Sequence, residues 1–162
     1  ETANEMPWDV LLLFGGGLSL SAMFTATGLS LWIGEKAKGL SSLPMFLLIF
    51  AVAALVLILT ELTSNTATAA TFLPIMGGVA VGIGLTDATE MNVMLLAIPV
   101  ALAATCAFML PVATPPNAIA YSSGYVTMGE MIKGGVWLNA IAMVLITLAT
   151  YFIAVPVFGL VL

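Results

Sequence analysis

The chain has 162 residues, 62% of them hydrophobic and 7% charged, against about 25% charged in soluble domains; with a mean hydropathy of +1.20 it reads as an integral protein of the lipid bilayer. Its net charge is -5, with three lysines and neither Arg nor His; a nucleic-acid partner, which needs a basic face, is excluded. Without His, and with Cys106 alone, an ordinary zinc or copper site and an internal disulfide are excluded as well.

The polar opening Glu1–Pro7 carries no initiator Met and no signal-peptide pattern, so the chain reads as the latter part of a longer polypeptide. A first spanning segment is predicted over Trp8–Ile33, with Trp8 and Trp32 as interfacial anchors and Gly15–Gly17 for close helix packing. Glu35–Pro44 is a charged connector at the interface. Two apolar arms follow, Pro44–Leu59 and Ala69–Leu85, around the polar cluster Thr60–Thr68. Each arm gives roughly 25 Å of helix, slightly short of the roughly 30 Å hydrocarbon core. Hydropathy leaves two readings open: a re-entrant hairpin with a polar tip, or two adjacent spans with an outside loop. Polar groups at membrane depth mark functional sites, and here they include Thr60, Glu61, Thr63, Ser64, Asn65 and Thr66. Glu61 is placed near the tip and in contact with water.

Asp87 or Thr89 is expected to cap the next helix, an apolar one over Val93–Leu110. That helix must break at Pro111-Val112-Ala113-Thr114-Pro115-Pro116-Asn117, because proline removes an N–H and the residue before it is pushed out of helical geometry. Carbonyls around Pro111–Ala113 are thereby freed. Gly124–Gly135 reads as a loop and Val136–Leu162 as a last bundle helix. A broken helix and a polar tip at one depth form a transporter arrangement, in which freed carbonyls bind Na+ and helix N-termini face anions. Na+ wants the oxygens that this cluster offers. With no Arg or His, an anion would be held by hydroxyls, amides, helix N-termini and bound cations. No enzyme is expected: Ser64 has no His or Lys near in sequence to activate it. A channel-like or structural membrane subunit is the other class, told apart by stoichiometric Na+ coupling.

Ser64-Asn65-Thr66-Ala67-Thr68 with Pro74-Ile75, then Ala113-Thr114-Pro115-Pro116-Asn117-Ala118, resemble the second half of the divalent anion:sodium symporter family, the INDY-type dicarboxylate and citrate transporters. The resemblance implies an all-α membrane fold, one half of an inverted-repeat transporter, with a re-entrant helical hairpin and a broken transmembrane helix. It implies a homodimer in the cell (inner) membrane, multi-pass, working as an elevator. Residues 1–39 would be a scaffold helix and interfacial linker, and 40–162 part of the transport domain: hairpin 44–85, broken helix 92–124, last helix 134–162. By similarity, Na+ would map onto Thr60, Thr63, Asn65 and Ala113, and a dicarboxylate onto Asn65, Thr66, Thr114 and Pro115. Sulfate or citrate is the alternative cargo. The chain holds one SNT tip, so the N-terminal repeat, with its half of the site, would have to come from elsewhere in the same protein.

Overall fold

The computed structural model describes residues 42–85 and 90–162, with scattered positions between 12 and 32. Most of the Trp8–Ile33 segment, the Glu35–Leu40 connector, and the expected caps Asp87 and Thr89 lie outside the described residues. At the described positions, helical bonding ends with Thr27 N donating to Met23 O at 2.9 Å. Gly28 follows in the left-handed region, φ 71°, which a glycine adopts at low cost. The described part of that segment is therefore interrupted at Thr27–Gly28.

The described residues are helical and contain no strand. Helix α1, Met45–Thr60, and helix α2, Asn65–Gly82, are joined by the turn Glu61–Ser64. The second arm thus begins at Asn65, four residues before the expected Ala69. Ser64 explains the shift: its extended backbone and side-chain oxygen, accepting from Ala67 N, make it an N-cap, which lets the following polar residues enter a helix.

A short 3-10 turn, Glu90–Val93, leads into α3, Met94–Ala103. The expected helix over Val93–Leu110 is therefore wrong in its second half. The helix ends at Ala103, with Ala104 as its cap, well before Pro111, and a helix re-forms only in α4, Pro115–Ser122. Side chains from other elements hold the intervening segment open, as shown below.

The expected loop Gly124–Gly135 is also corrected. Helix α5 starts at Met128 and runs to Ala149. Thr127 caps it: its side chain accepts from Glu130 N while the Glu130 carboxylate accepts from Thr127 N at 2.9 Å. This reciprocal pair is a capping box, a start signal that an expectation of a charged loop overlooked. Thr127→Ala is expected to cost about 1 kcal/mol, read as a lower unfolding midpoint in detergent; an unchanged midpoint would mean that packing alone starts the helix. Beyond α5 the helix widens into a π turn, Thr150–Ala154, and closes with α6, Val155–Phe158.

Both α1 and α2 pack on α3, and α5 packs across α1 and α3. The core joins Val52, Val56 and Leu57 of α1, Met76 and Val79 of α2, Leu96 and Val100 of α3, and Ile146 of α5. Phe46 meets Tyr151 edge-on at 5.6 Å between ring centroids, and Asn92 Oδ1 accepts from Val161 N at 2.9 Å. The outward faces stay apolar: Leu55, Ile58 and Leu62 along α1 and its turn, and Ile141, Leu145 and Leu148 on α5, are exposed. Among the described residues, Met128–Phe158 is the one stretch long and apolar enough to cross a membrane.

Candidate functional site

The site is built from one turn and one unwound segment. Non-helical backbone inside an apolar protein needs a partner for its N–H and C=O groups. Along residues 107–110, three N–H and two C=O groups find theirs on two side chains. Glu61 Oε1 accepts from Phe108 N at 2.8 Å and Met109 N at 3.0 Å, and its Oε2 accepts from Met109 N and Leu110 N, both at 3.1 Å. Asn117 Nδ2 donates to Ala107 O at 2.8 Å and Leu110 O at 3.0 Å. Three consecutive N–H groups form an anion-holding nest, and the protein's own carboxylate fills it. This is why α3 stops early: Glu61 offers the three amides an acceptor that competes with the helical one.

Glu61 was expected to contact water near the tip. It is instead buried, 4% exposed, and its Oε1 also accepts from Asn139 Nδ2 of α5 at 2.6 Å. Burying a carboxylate demands such a set of donors. Sequence reasoning placed no role on Asn139 and took the last helix as uncharged packing. The available signal was a lone amide in an apolar helix, which at membrane depth asks for a partner.

The turn and the unwound segment face each other across a cleft of about 1030 Å³. Of the predicted site residues, Thr63, Asn65, Thr66, Ala113, Thr114 and Pro115 all line it. Thr60 does not; it is buried behind the cleft. Its Oγ1 lies 2.8 Å from Asn65 Oδ1 and 2.9 Å from Ala104 O. One hydroxyl proton serves two acceptors there, so three oxygens converge on a single hydrogen. Ala104 and Thr105, the latter also lining the cleft, were not anticipated. Thr63 Oγ1 is bonded to Leu59 O at 3.0 Å and to Thr68 Oγ1, which ties the turn down on both sides.

Two helices open on the cleft by their N-termini. Ser64 caps α2, and Thr114 caps α4 by accepting from Asn117 N at 3.3 Å, with Pro115 at the first helical position. Proline suits that position because its missing N–H would have no helical partner. Both N-termini present the positive end of a helix dipole, and α2 adds the N–H groups of Asn65 and Thr66, whereas α4 opens on two prolines and its next N–H groups, of Asn117 and Ala118, are held by Thr114. Among the described residues lining the cleft none is charged. The arrangement can therefore accept an anion through N–H groups and hydroxyls, and a hard cation through oxygens.

A cleft lined by hydroxyls and amides inside an apolar exterior fits an integral membrane protein. Residues 2–159 match the sodium:sulfate symporter transmembrane region, and the chain belongs to that transporter family. Among its relatives, the sodium-dependent dicarboxylate transporter SdcS of Staphylococcus saprophyticus is 42% identical over 160 residues. The proteins of the same name from Staphylococcus aureus strains MRSA252 and USA300 are 44% and 43% identical over 160 residues. Each alignment covers 99% of this chain and 30% of the relative. The chain thus spans about 30% of the length of the curated relatives it matches.

Proposed function

We propose that the chain is part of the C-terminal half of a Na+-coupled secondary transporter for dicarboxylates of the succinate, malate and fumarate class. The observation that carries this reading is the convergence of two capped helix N-termini and an oxygen-bearing turn on one cleft whose lining carries no charge. Asn65 Oδ1, accepting from Thr60, keeps a second lone pair for a cation. With Thr60, Thr63 and Ala113 it would supply the hard oxygen ligands that Na+ takes. Asn65, Thr66, Thr114 and Pro115 would meet one substrate carboxylate, with the two helix N-termini adding favourable dipoles. Bound Na+ offsets anionic charge in a cleft whose side chains carry none, which is the physical reason for coupling. The sodium-dependent dicarboxylate relatives support the same reading.

In this reading the other half of the site comes from an N-terminal repeat of the same protein. Helices α1 and α2 form a re-entrant hairpin, and residues 40–162 move in an elevator cycle against a scaffold that includes residues 1–39. The protein is a multi-pass homodimer of the cell (inner) membrane, and a carrier rather than an enzyme. Labelled-succinate uptake by the complete polypeptide in proteoliposomes, with Na+ or K+ outside, tests it. Uptake should require Na+, and Asn65→Ala should lower it by at least about tenfold, the worth of one hydrogen bond or ion contact made at the site. Full uptake in K+ would remove Na+ coupling. Na+-driven uptake of sulfate but not succinate would give the cargo to the inorganic anion.

A further inference from the structure

Gly135 and Asn139 lie four residues apart on α5 and so share one face of the helix. Both bear on the unwound segment from behind the cleft, and neither lines it. A Cβ on Gly135 would come within 2.6 Å of Met109 Cα and of Phe108 O, so the helix and the unwound backbone are in direct contact there. Asn139, 6% exposed, holds Glu61 Oε1 through its Nδ2, while its own Oδ1 has no hydrogen-bond partner. Its amide is thus oriented by the bond to Glu61 alone. Glu61 in turn is next to Thr60, whose hydroxyl meets Asn65, and it fixes Phe108, which lines the cleft.

We infer that Gly135 and Asn139 are positioning residues for the Na+ and substrate site. The inference rests on the transport reading given above. Gly135 sets how close the unwound segment lies to α5. Asn139 sets the direction of the Glu61 carboxylate, which otherwise is oriented only by the segment it holds. Together they make the last helix the reference surface against which the turn Glu61–Ser64 and residues 107–110 are aligned. Neither touches solute, so their effect falls on the geometry of the oxygens around Asn65. A contact that merely stabilised the fold would lower yield and maximal uptake and leave the Na+ dependence unchanged.

The test is a Na+ titration of succinate uptake by the complete polypeptide in proteoliposomes, wild type against Asn139→Leu. Half-saturating Na+ should rise by about tenfold, the effect of one hydrogen bond to a charged group, while uptake at saturating Na+ stays within about twofold of wild type. On the same samples, amide hydrogen exchange over 108–110 should quicken. If Asn139→Leu yields no folded protein, Asn139→Ser, which keeps a donor in a smaller side chain, is measured in its place with the same expectation at smaller size. Unchanged half-saturating Na+, with or without a fall in maximal uptake, overturns the inference; so does unchanged exchange over 108–110. Wild-type protein that shows no Na+-dependent uptake overturns the transport reading itself, and this role with it.

Discussion

Glu61→Leu is expected to leave little or no folded protein. Leucine fills much of the same space but accepts nothing. Three backbone N–H groups, of Phe108, Met109 and Leu110, would lose their acceptor inside the protein. A buried donor stripped of its partner costs about 1–3 kcal/mol, so the three together cost roughly 3–9 kcal/mol, against a total stability of about 5–15 kcal/mol. The Asn139 amide would be stranded as well. Glu61→Gln should fall between wild type and Glu61→Leu, because one amide oxygen still accepts while the NH2 group opposes the remaining donors. Yield of monodisperse protein after detergent extraction and its unfolding midpoint measure both. A Glu61→Leu protein with wild-type yield and midpoint would mean that water or another group satisfies residues 108–110, and the account of the unwound segment would fall.

The next largest effect is expected at Gly135. An alanine there meets backbone, not a flexible side chain: Met109 Cα and Phe108 O at 2.6 Å, and Met109 N at 2.7 Å. That backbone is held in place by Glu61 and Asn117, so it cannot retreat without breaking those bonds. Overpacking of this kind costs typically about 1–3 kcal/mol, more than the up to about 1 kcal/mol that glycine-to-alanine gains inside a helix. The neighbouring glycine supplies the control. A Cβ at Gly134 meets nothing within 4 Å, so Gly134→Ala should be neutral or slightly stabilising. Equal unfolding midpoints for the two variants would show that α5 and the unwound segment are not in the contact described.

The elements that the sequence made legible are those written in local chemistry. The apolar runs located α1, α2, α3 and α5, and the prolines of Thr114-Pro115-Pro116 marked a break in the helix, which restarts on those prolines themselves. The SNT and TPPN stretches, some fifty residues apart, do line one cleft. What was not legible depends on contacts between distant parts of the chain. The end of α3 at Ala103 cannot be read from Cys106-Ala107-Phe108-Met109-Leu110, which is as apolar as the helix before it. It is decided by Glu61, 47 to 49 residues earlier in the sequence. Asn139, 78 residues from Glu61, was lost in an otherwise apolar run for the same reason. Asn65 and Thr66 misled in the opposite sense. Their polarity suggests a loop, whereas Ser64 as a cap draws them into the first turn of α2.

The bonds that hold residues 108–110 reach their main-chain N–H groups and not their side chains. Any amino acid but proline supplies the same donor. The path of the chain at this point is therefore written at position 61 rather than in the letters at 108–110. Phe108, exposed on the cleft wall, is a place where a library of substitutions can reshape the cleft while the main-chain path beneath it is inherited unchanged.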